Sequence, residues 1–227
     1  MTTRPDVIVF DVNETLSDLT PLGEAFAAAG APAHLARTWF AGILRDGFAI
    51  TAAGGNAAFA EIAQDSLGRL LAEAGGPIAD GATGSIIAAF KGLDVHPDVR
   101  PGVPELARLT QLVTLSNGSA RVAESLLTRA GLREHFRTLL SVDDAPAWKP
   151  ARAAYAYASA ECGVPAGRML LVAVHPWDVH GARRAGLRTA WLNRTGAQYP
   201  GYFDGPDLEV PDLPALAARL AELPDRP

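Results

Sequence analysis

The sequence predicts an α/β fold: a doubly wound, parallel, Rossmann-like sheet with an inserted helical cap. The chain opens with a short apolar, β-branched run that ends at Asp11, which is typical of a buried strand. From about residue 100 onward, strand-like and helical patterns alternate, as in parallel sheets whose strands are joined by helices. Between these two regions lie several helical patterns in succession, whereas one crossover between parallel strands needs a single helix.

The predicted cap begins directly after the first strand. Its segments combine helical spacing with abundant alanine and leucine, and clusters of glycine and proline separate them. They cover residues 21–29, 33–45, 56–74 and 83–90. We therefore predict a helical cap at residues 16–95, inserted into a Rossmann-like catalytic core formed by residues 1–15 and 96–227.

The predicted core alternates regularly after the cap. Strands are expected at residues 112–115, 138–142, 169–174 and 188–192, and helices at residues 100–109, 121–130, 151–161 and 213–223, with a further helix opened by Gly181. Residues 197–212 are rich in turn-forming residues and predict a loop. In open α/β sheets, ligands bind beyond the carboxyl ends of the strands, so polar residues at those ends are the candidates for function.

The composition indicates a protein with a packed core. Of its 227 residues, 48% are hydrophobic and 20% are charged. The net charge of −5, without a basic cluster, argues against a nucleic-acid partner. No apolar run approaches the length of a membrane span, and the first residues lack the apolar region of a signal peptide, so we expect a cytoplasmic protein. The only cysteine, Cys162, excludes an intramolecular disulfide.

Polar side chains follow four of the predicted strands. The sets are Asp11 with Thr15, Ser116 with Asn117, Lys149, and His175 with Asp178. Because parallel strands end at the same edge of a sheet, we expect these side chains to face one cleft. Each set alone also fits an ordinary role, as a helix cap or a solvated charge. Their occurrence at successive strand ends favours a catalytic site.

The motifs at these strand ends resemble those of the haloacid dehalogenase-like hydrolase superfamily, and within it most closely the L-2-haloacid dehalogenase (type II) branch. The matching stretches are Phe10-Asp11-Val12-Asn13-Glu14-Thr15-Leu16, Leu115-Ser116-Asn117-Gly118-Ser119, Trp148-Lys149-Pro150 with Tyr155, Trp177-Asp178-Val179-His180-Gly181-Ala182, and Asn193-Arg194-Thr195-Gly196. They cover the core from end to end and leave the predicted cap as the divergent part. The resemblance implies a hydrolase that acts on carbon–halide bonds.

The resemblance also implies a mechanism and roles for the matched residues. A short 2-haloalkanoic acid would be hydrolysed through an aspartyl ester to a 2-hydroxy acid and halide, without a metal or other cofactor. Asp11 would be the nucleophile, Lys149 would offset the clustered carboxylate charge, and Asp178 would activate water. The residues implied to hold or line the substrate are the Val12 backbone, Thr15, Ser116, Asn117 and Tyr155. The partners implied are this carboxylate substrate and water, with a homodimer by analogy.

Two alternatives stay open at this point. Most superfamily members are magnesium-dependent phosphatases, which carry a second aspartate two positions after the nucleophile. Here that position is Asn13, which cannot donate a proton as an acid, and the fourth strand is followed by one carboxylate, Asp178, instead of a pair. Asp143 and Asp144 lie near the third strand end and keep the phosphatase alternative open. The other alternative is a non-catalytic descendant whose cleft binds a ligand.

The cap departs from the dehalogenase pattern at the halide site. The branch usually carries an arginine in the early cap helix, and Phe40 stands where it is expected. Arg37 and Arg45 lie about one helical turn to either side but point elsewhere on a straight helix. A small pocket walled by Trp39, Phe40 and Trp177 is therefore expected, which suits a short haloacid.

The fourth strand end departs from the pattern as well. The branch usually has serine and asparagine there, where this chain has Ala173 and His175. Since the pKa of a histidine lies near neutrality, His175 is a candidate catalytic residue that contacts the halide or helps to activate water. A hydrogen bond to the adjacent loop is the equally weighted structural alternative.

Overall fold

The computed structural model describes residues 3–75 and 77–224. The predicted domain boundaries also include residues 1, 2, 76 and 225–227, which lie outside the described residues.

A single parallel sheet forms the centre of the described chain. It has six strands in the order β3-β2-β1-β4-β5-β6, and every neighbouring pair is parallel. The strands are β1 (Val7–Phe10), β2 (Gln111–Ser116), β3 (Phe136–Ser141), β4 (Met169–Ala173), β5 (Arg188–Leu192) and β6 (Leu208–Val210). The strand order reverses direction at β1, between β2 and β4, which confirms the predicted doubly wound α/β fold.

Helices cover both faces of this sheet and fill the chain between β1 and β2. That segment holds α1 (Leu22–Ala28), α2 (Leu35–Ala52), α3 (Phe59–Glu73), α4 (Ala82–Lys91) and α5 (Val99–Ala107). The later helices are α6 (Ala120–Ala130), α7 (Arg152–Cys162), α8 (Pro176–Arg184) and α9 (Leu213–Ala221). Within the described residues, no helix is both long enough and apolar enough to cross a membrane.

The central strand β1 is buried on both faces because both of its side-chain rows are apolar. Ile8 and Phe10 point into a core shared with α5, α6 and α9. Val7 and Val9 point into a second core shared with α7 and α8. This alternation is the two-residue period of a strand. It fixes the register of β1, so the residue that follows Phe10 lies at the carboxyl edge of the sheet.

Helices α1 to α4 pack around an apolar core of their own. The two ends of this segment lie side by side, because Ser17 forms an antiparallel bridge with Val95 and the Asp18 backbone N–H donates to Asp94 O (2.9 Å). Trp148, from the loop after β3, inserts into the same core and donates from Nε1 to Ala57 O (3.0 Å). The helical segment is thereby fixed against the carboxyl edge of the sheet.

Three predicted elements differ from the structure. Helix α2 continues to Ala52, beyond the predicted end at residue 45. Helix α8 begins at Pro176, so Asp178 lies in its first turn instead of in a preceding loop. The segment 197–212, predicted as loop, contains β6, which pairs with β5 at the sheet edge. A strand of this length has no clear local pattern, and its pairing with β5 depends on contacts that are remote in sequence.

Candidate active site

The strand-end residues converge at the carboxyl edge of the sheet. Asp11 follows β1, Ser116 ends β2, Lys149 lies in the loop after β3, and Asp178 lies in the first turn of α8. All four side chains are buried. Groups from four strand ends meet here because β3, β2, β1 and β4 are adjacent and parallel.

Lys149 joins the two carboxylates of the site. Its Nζ donates to Asp11 Oδ1 (2.9 Å) and to Asp178 Oδ2 (2.6 Å), and its side chain is 0% exposed. Burial alone would lower the pKa of Lys149, but the charges of the two carboxylates outweigh burial and raise it. The ammonium is therefore a permanent positive charge between Asp11 and Asp178.

The two carboxylates respond differently to the same burial. Burial tends to raise the pKa of Asp11, but Lys149, His175 and Thr15 together hold it well below its usual range. The pKa of Asp178 is raised, because burial and the Asp11 charge outweigh Lys149 and a hydrogen bond from Tyr155. Asp11 is thus the ionised, poorly basic partner, and Asp178 is the more basic one.

Tyr155 and Asn117 hold the charged group of Lys149, Asp11 and Asp178 in place. The Tyr155 hydroxyl, buried on α7, donates to Asp178 Oδ1 (2.6 Å). The Asn117 side chain makes a pair of hydrogen bonds with the backbone of Lys149, at 2.9 Å from Lys149 N and 3.1 Å to Lys149 O. In the structure, Asn117 therefore positions the loop that carries Lys149.

The second oxygen of Asp11 has different partners. The Thr15 hydroxyl donates to Asp11 Oδ2 (2.7 Å), and His175 Nδ1 lies 3.1 Å from the same oxygen. The Thr15 hydroxyl also accepts from the backbone N–H of Val174 (3.1 Å). This brings His175, one of the predicted residues, directly onto the predicted nucleophile.

Glu14 is a member of the site that the sequence did not single out. Its Oε2 lies 2.8 Å from His175 Nε2, and its backbone adopts a left-handed conformation with φ of 62°. Its carbonyl oxygen bonds to His96 Nε2 (2.9 Å). No local sequence pattern identifies Glu14 as a site residue. The available indications were its position three residues after Asp11 and the presence of His175 after the fourth strand.

Two aromatic rings pack against His175. Phe40, on α2, stacks on the imidazole with ring centroids 6.4 Å apart, and Trp177 stacks with centroids 5.0 Å apart. Arg37 and Arg45 are exposed on α2, and Arg45 pairs with Asp46. The expectation that Trp39 walls the pocket is not met, because Trp39 packs within the helical core and donates from Nε1 to Ala63 O (3.0 Å).

A small apolar cavity lies between the helical segment and the core, next to Val12, and neither Asp11 nor Asp178 is part of its lining. Its volume is about 100 Å³, and its lining includes Val12, Asn13, Phe59, Phe90, Ser116 and Gly118. The Ser116 hydroxyl at its wall accepts from the backbone N–H of Gly118 (2.9 Å). A larger, shallow cleft of about 730 Å³ lies at the opposite edge of the sheet, lined by Asp6 and Arg168 among others, away from the strand-end groups.

The chain matches the family model of the haloacid dehalogenase-like hydrolases over residues 5–186. It is 36% identical over 129 residues to an (S)-2-haloacid dehalogenase of Pseudomonas sp. strain YL, and this match spans 56% of each chain. It is 28% identical to (S)-2-haloacid dehalogenase H-109 of Pseudomonas putida, over 95% of this chain and 97% of that one. A crystal structure of an L-2-haloacid dehalogenase superposes with a TM-score of 0.90 at 27% identity, covering 96% of this chain and 100% of the other.

Proposed function

The chain belongs to the haloacid dehalogenase-like hydrolase family, and we propose that it hydrolyses a short 2-haloalkanoic acid to a 2-hydroxy acid and a halide ion. The observation that carries the proposal is the geometry around Asp11. An ionised, buried carboxylate accepts hydrogen bonds from Lys149, Thr15 and His175 at the carboxyl edge of the sheet. The relatives that this chain resembles over nearly its whole length are named as (S)-2-haloacid dehalogenases.

In the first step, a carboxylate oxygen of Asp11 attacks C2 of the substrate and displaces the halide. The low pKa of Asp11 keeps the nucleophile ionised, and displacement from the opposite side inverts the configuration at C2. The product of this step is an ester between Asp11 and the substrate. The helical segment α1–α4, fixed over the site, acts as the cap that keeps water away from the displacement.

We place the substrate in the small cavity that is lined by Val12, the residue after Asp11. Its carboxylate is held by the Ser116 hydroxyl and by the backbone at Val12, both of which line the cavity. Thr15 and Asn117 support this set indirectly, because their side chains are bonded to Asp11 and to the Lys149 backbone. The apolar walls at Phe59 and Phe90 leave about 100 Å³, which favours a short alkyl chain.

In the second step, water attacks the Asp11 carbonyl carbon. Asp178 is the base that removes a proton from this water, since its raised pKa makes it the stronger base of the two carboxylates. Lys149 lies between the two groups and stabilises the negative charge on the alkoxide that leaves from the Oδ1 side of the ester. Tyr155 keeps the Asp178 carboxylate oriented.

The proposed reaction needs no metal ion. Magnesium serves carboxylates and phosphate by supplying positive charge between them. Here the Lys149 ammonium already lies within hydrogen-bond distance of both Asp11 and Asp178. The side chain two positions after Asp11 is the amide of Asn13, which lacks the acidic proton that would protonate the leaving alcohol when a phosphoryl group is transferred to the aspartate.

The test is halide release from racemic 2-chloropropionate in EDTA, with Asp11→Asn as the inactive control. We expect release of one halide for each 2-hydroxy acid formed, selective for one enantiomer. Single turnover in ¹⁸O water should place the label in the peptide that contains Asp11. Magnesium-dependent hydrolysis of p-nitrophenyl phosphate without halide release would favour the phosphatase alternative, and no turnover in a broad screen would favour a binding protein.

A further inference from the structure

Both ring nitrogens of His175 face carboxylate oxygens. Nδ1 lies 3.1 Å from Asp11 Oδ2, and Nε2 lies 2.8 Å from Glu14 Oε2. An ionised carboxylate accepts hydrogen bonds but donates none. Each contact therefore requires a proton on the nitrogen, so the ring is a doubly protonated imidazolium. With both nitrogens engaged, His175 has no N–H left with which to bind a departing halide.

The hydrogen bonds at Asp11 distinguish its two oxygens. Oδ2 accepts from Thr15 and His175, which occupies both of its lone pairs. Oδ1 accepts one hydrogen bond, from Lys149 Nζ, so among the described residues one of its lone pairs has no donor. The Thr15 proton must point at Oδ2, because the Val174 backbone N–H donates to the other side of the Thr15 hydroxyl. Oδ1 is therefore the oxygen that can attack the substrate.

We infer that Thr15 and the imidazolium of His175 form an oxyanion hole for hydrolysis of the Asp11 ester, and that Glu14 keeps this imidazolium charged. The inference rests on the proposed dehalogenation and assigns roles within its second step. Donors at 2.7 and 3.1 Å from Oδ2 have the spacing at which such groups stabilise developing negative charge. His175 is catalytic in this scheme, and Glu14 is a positioning residue.

The chemical step balances with the groups present. Oδ1 becomes the ester oxygen and Oδ2 stays the carbonyl oxygen. Water loses a proton to Asp178 as its oxygen bonds to the carbonyl carbon, and the C=O electron pair moves onto Oδ2. The bond between Asp11 Cγ and Oδ1 then breaks, and Oδ1 leaves with the electron pair as the alkoxide oxygen of the product. This alkoxide takes a proton from Lys149. The new Asp11 carboxyl group returns a proton to Lys149, and Asp178 releases its proton to solvent.

Glu14 is needed because Asp11 loses its charge when the ester forms. In the free enzyme, burial tends to lower the pKa of His175, but hydrogen bonds to Asp11 and Glu14 raise it to about 9. Once Asp11 is esterified, Glu14 is the remaining carboxylate in contact with the ring. Glu14 therefore maintains the positive charge during the step in which Oδ2 becomes negative.

The backbone and the cap support this arrangement. A left-handed conformation is unfavourable for a glutamate, and such strain collects at functional sites where other contacts enforce it. Here His96 bonds to Glu14 O, and Arg194 bonds to Thr15 O (2.9 Å). Around the ring, Lys149 lies on the far side of Asp11, while Phe40 and Trp177 present uncharged aromatic faces that favour a cation.

The test compares Glu14→Gln with Glu24→Gln, an exposed glutamate on α1, in rapid-quench experiments with 2-chloropropionate. In Glu14→Gln we expect a burst of halide equal to the enzyme concentration, followed by slow turnover while the ester accumulates. The alkaline limit of ester hydrolysis should move down by about one to three pH units, because an opposite charge shifts a pKa by that amount. At pH 6 the variant should approach the wild-type rate, and Glu24→Gln should match the wild type throughout.

A second variant and a second readout complete the test. His175→Leu, which removes both ring N–H groups, should slow ester hydrolysis by about 100- to 1,000-fold at every pH while sparing the burst. In ¹⁵N-histidine NMR spectra, His175 should stay doubly protonated beyond pH 8 in the wild type but not in Glu14→Gln. An unchanged pH limit in Glu14→Gln, or loss of the burst itself, overturns the inference. Absence of halide release from the wild type overturns the proposed function, and the NMR titration still decides whether Glu14 holds the charge.

Discussion

The two oxygens of the Asp11 carboxylate face two unlike environments. On the Oδ1 side, Lys149, Asp178 and Tyr155 form a charged group that is buried completely. On the Oδ2 side, His175 and Glu14 have side chains that are 12% and 39% exposed. The buried side contains a lysine whose charge is fixed between two carboxylates, whereas the other side contains a histidine whose charge depends on its neighbours.

This difference suggests a division of work at one carboxylate. A fixed ammonium is suited to keep the nucleophile ionised at all working pH values. A histidine near the solvent is suited to a step in which charge appears and disappears on the adjacent oxygen. Substitutions on the Oδ1 side should therefore affect folding and both steps, and those on the Oδ2 side should affect ester hydrolysis and its pH dependence.

Replacing Lys149 by methionine should have the largest effect. Removal of one partner from a buried ionic group leaves Asp11 and Asp178 uncompensated and should destabilise the fold by about 3–5 kcal/mol at neutral pH. Without the ammonium, the folded-state pKa values of the carboxyl groups rise above their unfolded values, so stability should recover as the pH falls. Urea unfolding at pH 5 and pH 8 measures this, with the exposed Lys91→Met as control. Equal loss at both pH values would show that packing, not charge, is responsible.

Replacing Thr15 by valine should have the next largest effect. The valine keeps the shape but removes the donor to Asp11 Oδ2, so ester hydrolysis should slow by about 100- to 1,000-fold. It also leaves the Val174 N–H without its acceptor, which should destabilise by about 1–3 kcal/mol. Thr15→Ser retains the hydroxyl and should keep most of the activity. Rapid-quench kinetics separate the two steps, and a loss confined to halide release would contradict the oxyanion role.

The two sides also differ in how far the sequence predicts them. Asp11, Lys149 and Asp178 lie in motifs at strand ends, so alternation of strands and helices predicts that they meet at one edge of the sheet, whereas Tyr155, within α7, is expected only from the family resemblance. Glu14 was not predicted, because its role depends on a left-handed backbone conformation and on the position of His175, 161 residues away in the chain. The position of the His175 ring nitrogens depends on tertiary contacts, which no local sequence pattern predicts.

The same distinction explains the errors in the fold. Buried strands such as β1 carry continuous apolar runs and are easily located. Strand β6 has three residues, one of them the exposed Glu209, and it exists because the edge of β5 is available for pairing. Trp39 precedes Phe40 in the sequence and was expected at the pocket wall, but it packs against Phe26 and Phe90 in the helical core.

Replacing Tyr155 by phenylalanine should give an intermediate effect. The hydroxyl donates to Asp178 Oδ1, so its loss raises the pKa of Asp178 further above the usual range. A base must be ionised to accept a proton, so the acid limit of turnover should move to higher pH by about one unit. The pH profile of halide release measures the shift. The half-buried Tyr157→Phe, on the same helix, is the control, and an equal shift in both would rule out a specific role for the Tyr155 hydroxyl.

Replacing Phe40 by leucine should have the smallest effect, and it tests whether the helical segment α1–α4 acts on the Oδ2 side of Asp11. The ring stacks on His175, and a cation over an aromatic face gains about 0.5–1 kcal/mol at such sites. Its loss should lower the pKa of His175 slightly and slow ester hydrolysis by about two- to fivefold near pH 8. Phe26→Leu, in the same helical core but remote from His175, should match its loss of stability without moving the pH limit. If both variants move the limit equally, the helical segment α1–α4 acts through general packing. If only Phe40→Leu moves it, the aromatic ring acts directly on the imidazolium.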